Sequence, residues 1–312
     1  MSQRTIAYPA SERSKNSLEI LEELHRSSNW HVVEQDGWHL PATKEKRDDC
    51  GKWQTKGCLN VSAHVGSAWE GKVFVKSYQK SCYRADCEIC YKKWMGRESN
   101  KATRRIEKYQ ELSEKQAKHV VISVPNWLQY VPASNLRKKA YSILKEVGCI
   151  GGTLIFHPFR FDKDANRWYY SPHFHVVGFG WISNVEEVYN KNGWIVKNKG
   201  FRNSVFATFY YQLSHAGIKK GYHTLTWFGD LSYSKLKIEK EPNPDTCPLC
   251  NAKLRPVFHY GLFGSVPPPE TCIEMFVDPE GWHIVESKTK SEQNHRVCNC
   301  SACCGGKKKC LN

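Results

Sequence analysis

Two histidines at the start of one apolar stretch are well placed for metal chemistry. His173 and His175 flank Phe174, and the apolar run continues to Trp181. Pro172, directly before them, is typical of the first residue of a strand. Because successive side chains of a strand point to opposite faces, the two imidazoles project side by side. The pattern favours one shared divalent cation, and the alternative is a pair of buried histidines with only a structural role.

The elements that must position these histidines follow one another as strand, helix, strand, strand and helix. Their ranges are, in order, His119–Pro125, Asn135–Val147, Gly151–Phe159, His173–Trp181 and Val205–Ala216. This order predicts an α+β domain with an antiparallel sheet. A turn-rich connection over residues 162–166 favours direct pairing of the third and fourth elements. His157, near the end of the third element, is therefore the candidate third metal ligand, and a histidine hydrogen-bonded at a strand edge is the alternative.

The last of these helices carries the candidate nucleophile. Tyr210 falls on the apolar face of the helix, so it is expected to pack against the sheet. Tyr211 leaves that face and precedes His215 by four residues, so those two side chains are neighbours. We assign the reactive role to Tyr211, with His215 orienting its phenol or sharing its proton. Tyr210 is a second catalytic candidate because its face packs on the metal-bearing sheet. The alternative for Tyr211 and His215 is that they are two ordinary surface residues.

Closely spaced cysteines predict a structural zinc site in the first third of the chain. Cys82, Cys87 and Cys90 form a Cys-x4-Cys-x2-Cys run, and Cys50 and Cys58 lie upstream. Zinc favours four Cys or His ligands in a tetrahedron. The expected ligands are therefore the three cysteines of the run and one of the two upstream cysteines, and free thiols are the alternative.

A second cysteine pair, Cys247 and Cys250, predicts half of a zinc ribbon near the end of the chain. The other half is left open among several residues: Cys272, His259, or the terminal cluster Cys298, Cys300, Cys303, Cys304 and Cys310. The chain has 14 cysteines and begins without a signal-peptide pattern. This combination favours metal binding in a reducing compartment, and we expect a cytoplasmic location.

The charge and the aromatic content predict a nucleic-acid partner. The net charge is +15 and 12% of the residues are aromatic, so phosphates and unpaired bases both find suitable contacts. Arg84, Lys92, Lys93 and Arg97 lie among aromatic residues and are the candidate DNA-binding side chains. No apolar run is long enough to span a bilayer, so no membrane partner is expected.

One segment has the spacing of a phosphate-binding loop but lacks its key residue, so no nucleotide cofactor is expected. Residues 66–73 match the loop spacing up to Val73, which stands where a Ser or Thr would bind magnesium. Trp69 and Glu70 also crowd the backbone amides that would have to face phosphate. We therefore exclude an ATPase function for this segment.

Together these motifs resemble those of the HUH endonuclease superfamily, named for its His-hydrophobic-His triplet. The resemblance covers roughly residues 80–235 and rests on the His173–His175 triplet, the preceding apolar strand and the helix bearing Tyr211. The family includes rolling-circle replication initiators, relaxases and single-strand transposases. The segments 210–217 and 227–233 are most similar to the replication initiators of archaeal plasmids and viruses, in which a similar cysteine module also occurs.

The resemblance implies a metal-dependent endonuclease that nicks and rejoins single-stranded or hairpin origin DNA. It implies attack by Tyr211, which leaves a 5′-phosphotyrosine link and a free 3′-OH. The cation is expected to be Mn²⁺ or Mg²⁺, with Mn²⁺ favoured by the histidine ligands. Helicase motifs are lacking, so unwinding and synthesis need a host helicase and polymerase. A transposase of the same chemistry and a non-enzymatic zinc DNA-binding regulator are the alternative functions.

We expect four regions in the chain. A polar N-terminal extension covers residues 1–47, and a Cys-rich zinc module covers 48–100. An antiparallel-sheet HUH nuclease core with flanking helices is expected at 101–240. A second Cys-rich module resembling a zinc ribbon, with a basic tail, is expected at 241–312.

Overall fold

The computed structural model describes residues 33–239, 245–261, 264–265 and 270–285. The strands in these ranges are β1 (Glu34–Gln35), β2 (Trp38–His39), β3 (Trp53–Cys58), β4 (Val73–Gln79), β5 (Lys118–Ser123), β6 (Cys149–Asp162), β7 (Arg167–Gly180), β8 (Ile195–Phe201), β9 (Leu225–Gly229), β10 (Arg255–Gly261), β11 (Gly264–Ser265), β12 (Ile273–Val277) and β13 (Trp282–Ile284). The α-helices are α1 (Tyr91–Ser113), α2 (Ala133–Glu146), α3 (Val185–Asn192) and α4 (Val205–Ser214). Single 3₁₀ turns lie at Val61–His64 and Asn126–Leu128.

A five-stranded antiparallel sheet organises the larger of two compact units, and β7 is its central strand. The strand order is β8-β5-β7-β6-β9. The hairpin of β6 and β7 places His157 opposite His173 and Ile155 opposite His175. A register shift follows His157 directly, so a bulge bends β6 at this point. The expected α+β class and antiparallel sheet are confirmed.

Helices cover both faces of this sheet because its strands alternate two sets of apolar side chains. On one face, Phe156 and Phe174 pack with Leu144 of α2 and with Val188 of α3. On the other face, the buried side chains come from Ile155, Val177 and Phe179 of the sheet, Ile106 of α1, and Val205, Phe209 and Leu213 of α4. The histidines of β6 and β7 share the face that α1 and α4 cover, since residues 155, 157, 173, 175 and 177 alternate in phase.

The second unit is a smaller antiparallel sheet with the strand order β11-β10-β3-β4-β12, and β13 also pairs with β10. Its described residues come from 53–79 and from the chain from residue 245 onward, whereas the described residues 33–52 and 80–239 form the larger unit. The expected boundaries are therefore corrected in two places. The 48–100 module is divided between the units, because β4 pairs with β12 along its length. Helix α1 also crosses the expected boundary at residue 100 without interruption.

Parts of the expected organisation lie outside the described residues. These are the chain before residue 33 and the terminal cysteine cluster with the basic tail. Within the described part, the 1–47 extension contributes buried Trp38 and Leu40 to the main core, so it is not polar throughout. No helix in that part of the chain combines the length and the apolar composition needed to cross a bilayer.

Two glycines provide a test of the sheet packing. A Cβ at Gly152 of β6 would lie 2.5 Å from the carbonyl oxygen of Val177. Gly152→Ala should therefore lower the free energy of unfolding by about 1–3 kcal/mol, as overpacking does. Gly96, in α1, has open space around the same position, and Gly96→Ala should raise stability by about 0.5–1 kcal/mol through helix propensity. Urea unfolding followed by circular dichroism measures both, and a neutral Gly152→Ala would contradict the packing described here.

Candidate metal centres and the tyrosine helix

Histidines from two strands and one helix end converge on a buried cluster. His157 comes from β6, His173 and His175 come from β7, and His215 follows α4 as its C-terminal cap. One ring nitrogen each of His157, His175 and His215 lies within 4.8 Å of the others. The ring centroid of His157 is 4.2 Å from that of His175 and 4.5 Å from that of His215. This group is compact enough for a single cation.

His157 supplies the strongest indication that a cation belongs here. Its side chain is fully buried, and neither ring nitrogen has a hydrogen-bond partner in the structure. A buried polar group without a partner costs about 1–3 kcal/mol. Burial lowers the pKa of His157 and of His175 well below the ordinary value, with a further contribution from the neighbouring imidazoles. Both rings are therefore neutral at pH 7, which is the form that binds a metal ion.

The remaining hydrogen bonds of the cluster fix which nitrogens can act as ligands. His173 donates from Nδ1 to the carbonyl oxygen of Ser171 at 2.9 Å, which leaves Nε2 as an acceptor. The hydroxyl of Ser214 donates to the carbonyl oxygen of Tyr211 at 2.6 Å, so its oxygen accepts from Nδ1 of His215 at 3.0 Å. His215 therefore also keeps a free Nε2. Such partners set the tautomer and orientation of metal-binding histidines.

His119 is a further member of the cluster that the sequence patterns did not indicate. Its Nε2 lies 2.9 Å from Nδ1 of His175, and both rings are buried. Burial lowers the pKa of His119 to about 3, so the contact joins two neutral imidazoles. His119 shares a face of β5 with Val121, which pairs with His175. Period-two spacing predicts that His119 and Val121 share a face, but only the register of β5 against β7 brings that face to His175.

The ligand set differs from the expected one in one member. The sequence predicted His173, His175 and His157, whereas the closest group in the structure contains His215 in place of His173. The ring centroid of His173 lies 5.2 Å from those of His157 and His175. His173 therefore lies beside the group of His157, His175 and His215. It is on the same face of β7 as His175, as the alternation predicted.

The tyrosine helix places Tyr211 next to this cluster. Ser204 caps its start by accepting from the amide of Ala207 at 3.2 Å, and the helix ends at Ser214. The ring of Tyr211 meets that of His215 edge to face, with centroids 4.9 Å apart. Burial raises the pKa of the Tyr211 phenol, so deprotonation there needs help from a nearby positive charge or a base.

The structure also separates the roles of the remaining side chains on this helix. Tyr210 packs against the core under α1 and α4 and stacks on Phe206 at 5.8 Å. Both nitrogens of His215 are directed elsewhere, one to Ser214 and the other to the cluster. The expectation that His215 shares the proton of Tyr211 therefore fits this geometry poorly, and a ligand role for His215 fits it better.

A first four-cysteine centre lies in the larger unit. The sulfurs of Cys50, Cys82, Cys87 and Cys90 are all within 4.8 Å of one another. Cys50, and not Cys58, is thus the upstream member, and its sulfur lies 4.0 Å from that of Cys87. Burial raises the pKa of Cys50 to about 11. Burial also raises that of Cys82, but hydrogen bonds from Arg84 outweigh this effect and lower it to about 6.

A second centre in the smaller unit combines Cys58, His64, Cys247 and Cys250. The sulfurs of Cys58 and Cys250 are 3.6 Å apart, close to the ~3.8 Å edge of a tetrahedral zinc site with Zn–S bonds of ~2.3 Å. Nε2 of His64 is 3.3 Å from the sulfur of Cys247. Its Nδ1 donates to the carbonyl oxygen of Lys72 at 2.8 Å and so fixes the tautomer.

The predicted partners of Cys247 and Cys250 are corrected by this arrangement. Cys58 and His64 complete the site, whereas Cys272 is exposed and takes no part in it. His259 instead places its ring edge to face on Trp282. The terminal cysteines lie outside the described residues. Sequence spacing could not reveal the true set, because about 180 residues separate its halves and tertiary pairing of β3 with β10 and of β4 with β12 brings them close.

The predicted DNA-binding residues lie close in the chain to the first cysteine centre, and Arg84 hydrogen-bonds to Cys82. Lys92, Lys93 and Arg97 lie in the first two turns of α1, which starts directly after Cys90. The guanidinium of Arg97 lies over the ring of Tyr83 at 4.7 Å. Their role in binding DNA stays a prediction.

Comparison with protein-family models, curated proteins and solved structures finds no match to this chain. A functional assignment therefore depends on the geometry of the histidine cluster, Tyr211 and the two cysteine centres. The geometry shows Cys and His groups that are able to hold metal ions.

We predict that each cysteine centre binds one zinc ion. Cys87→Ser should lose about one equivalent of zinc relative to the natural chain, and Cys247→Ser should lose another, because four ligands complete each tetrahedron. Cys272→Ser is the matched control and should lose none. Elemental analysis of purified protein measures the difference, and an unchanged zinc content in the first two variants would contradict the assignment.

We predict that His157→Leu removes a cation site without harming the fold. Leucine leaves no buried nitrogen unpaired, so in buffer without added manganese the variant should be at least as stable as the natural chain. Added Mn²⁺ should raise the melting temperature of the natural chain and of a His283→Leu control, but not that of His157→Leu. An equal manganese effect on all three proteins in thermal unfolding would argue against the site.

Proposed function

We propose that this chain nicks and rejoins single-stranded DNA, with Tyr211 as the nucleophile, at the start of rolling-circle replication. The observation that supports this most is the position of Tyr211 against His215, within a cluster whose buried His157 has two unpartnered nitrogens. An imidazole without hydrogen-bond partners does not stabilise a core. A metal-dependent phosphodiester-cleaving site needs both a cation and a nearby nucleophile.

The donor set favours Mn²⁺ over Mg²⁺ as the cation. His157, His175 and His215 offer nitrogen ligands only, and Mg²⁺ prefers oxygen ligands in a strict octahedron. Open coordination positions remain beyond three histidines, and these suit the oxygens of a scissile phosphate. When bound, the cation would polarise that phosphate and lower the pKa of the nearby phenol.

The covalent step follows from the position of Tyr211. Its phenol oxygen attacks the phosphorus, and the bond from phosphorus to the 3′ oxygen breaks. The phenol releases its proton to solvent, and the departing 3′ oxygen takes up a proton. The products are a 5′-phosphotyrosine and a free 3′-OH, which primes synthesis by a host polymerase. The same steps in reverse rejoin the strand, because the phosphotyrosine conserves the energy of the broken bond.

His119 and Ser171 hold the rings of the cluster in place during this step. The hydrogen bond between His119 and His175 and the bond from His173 to Ser171 each occupy one ring nitrogen and leave the other nitrogen of His175 and of His173 available. Preorganised ligands of this kind cost no rearrangement at the moment of reaction. The single-stranded substrate follows from the basic and aromatic surface, since unpaired bases can stack on aromatic rings.

A non-enzymatic zinc protein that binds DNA is the second candidate function. The two four-ligand cysteine centres and the basic start of α1 favour it, because neither feature requires Tyr211. A transposase with the same covalent step is a further form of the leading proposal. The covalent intermediate separates the enzyme from the binding protein.

We predict that Tyr211→Phe abolishes a covalent adduct between the protein and single-stranded DNA. The substitution keeps the ring and its contact with His215 and removes only the nucleophilic oxygen. End-labelled DNA incubated with protein and Mn²⁺, then separated on a denaturing gel, measures the adduct. The loss should exceed about a hundredfold, since the covalent route is closed.

Tyr210→Phe is the matched control, because Tyr210 is adjacent in sequence yet points about 100° away on the helix. It should form the adduct at a near-natural rate. Adduct formation by Tyr211→Phe, or its loss only in Tyr210→Phe, would refute the assignment of the nucleophile. No adduct with any protein or cation would favour the binding protein.

A further inference from the structure

A groove of about 740 Å³ lies between α1, β9 and the segment after β9, and none of the clustered histidines lines it. Trp94, Trp227 and Tyr233 contribute aromatic rings to its walls. Its volume falls in the range of about 300–1,000 Å³ that is usual for ligand sites. The chemistry assigned to Tyr211 does not use this groove. The residues that line the groove therefore point to a separate role.

The rim of the groove is positively charged. Lys101, Arg104 and Lys237 line it, against a single acidic residue, Glu98. The amine of Lys101 lies 3.3 Å from Glu98, and that of Lys237 donates to the carbonyl oxygen of Tyr233 at 2.9 Å. Both lysines are exposed, so their amines can turn to a ligand at little cost. The charge of the rim complements an anion.

A buried cation beneath the groove adds to this charge. Arg105 is 6% exposed and donates to the carbonyl oxygens of Leu231, Ser232 and Leu236. Its guanidinium lies over the rings of Trp227 and Tyr233, at 5.2 and 4.7 Å from their centroids. None of these contacts is with a carboxylate, so they leave the positive charge without a counter-ion. A buried charge of this kind favours an anion nearby.

The aromatic rings are presented for stacking. Tyr233 is 68% exposed although Arg105 covers one face of its ring, so the other face is open to a planar ligand. Leu213 of α4 also lines the groove and lies between Tyr211 and His215 in sequence. Because Leu213 itself is buried, the groove lies next to the helix that carries the candidate nucleophile without exposing it.

We propose that this groove binds single-stranded DNA, with bases stacked on Trp227 and Tyr233 and phosphates paired with Lys101 and Lys237. Alternating aromatic and basic contacts match a chain of bases and phosphates, whereas a folded protein surface or a duplex presents no unpaired bases. The choice of DNA rests on the proposed function. The groove thus holds the strand beside α4, and the histidine cluster acts on a phosphate elsewhere along it.

The salt dependence of binding tests the phosphate contacts. Fluorescence anisotropy with a labelled oligothymidylate of about 16 nucleotides, a length within the range of single-strand binding sites, measures the affinity without added divalent cations. Each phosphate contact on a single strand contributes about 0.7 to the slope of log K against log salt between about 50 and 200 mM. Lys101→Gln/Lys237→Gln should therefore lower that slope by about 1.4. Lys138→Gln/Lys139→Gln, an equal charge change on exposed residues of α2, should leave it unchanged.

Stacking is tested in the same assay by Tyr233→Ala, which should weaken binding about tenfold. Tyr233→Phe keeps the ring and should bind like the natural chain. Tyr189→Ala, at an exposed tyrosine of α3, is the matched control. An unchanged slope in Lys101→Gln/Lys237→Gln, or an equal change in the α2 control, would overturn the proposal. Tighter binding of an oligouridylate or a duplex than of the oligothymidylate would overturn it as well.

The adduct assay keeps this inference separate from the proposed function. Adduct formation by the natural chain, together with groove variants that bind normally, would overturn the groove proposal and support the proposed nuclease function. Groove-dependent binding with no adduct would support the groove proposal and contradict the proposed nuclease function.

Discussion

The pairing of β6 with β7 is the interaction on which the candidate site depends. It sets His157 opposite His173 and Ile155 opposite His175, and thereby puts three imidazoles on one face of the sheet. A slip of one residue would turn every side chain of one strand to the opposite face. The buried phenylalanines on the far face, Phe156 and Phe174, penalise such a slip, because it would bring them to the side of the histidines. Core packing and site geometry therefore specify the same register.

A metal ion in the second cysteine centre would help to join distant segments of this chain. The second cysteine centre connects Cys58 and His64 with Cys247 and Cys250, so a single ion would close a loop of about 180 residues. The apolar clusters beside it are small and centre on few buried residues, among them Phe74, Val75 and Val257. Small cores of this kind commonly need a metal for stability. The same need does not apply to the larger unit, whose two cores cover both faces of a five-stranded sheet.

Local patterns in the sequence predicted much of the fold but only part of the site. The sheet, the hairpin and the tyrosine helix follow from period-two and period-3.6 spacing, and His173 and His175 follow from the same alternation. The roles of His215 and His119 depended on where α4 ends and on the register of β5, which no local pattern specifies. The pairing of Cys58 with the distant cysteines likewise needed tertiary contacts. Sequence spacing finds ligands within one turn or hairpin, and misses those that folding brings together.

The central claim is that the buried histidines bind a cation directly beside Tyr211. Anomalous diffraction from crystals grown with manganese would test it most directly, because the signal locates the ion without reference to activity. The account predicts a manganese peak bounded by ring nitrogens of His157, His175 and His215, on the side that faces Tyr211. Manganese bound elsewhere on the protein, with no peak among these histidines, would contradict the account.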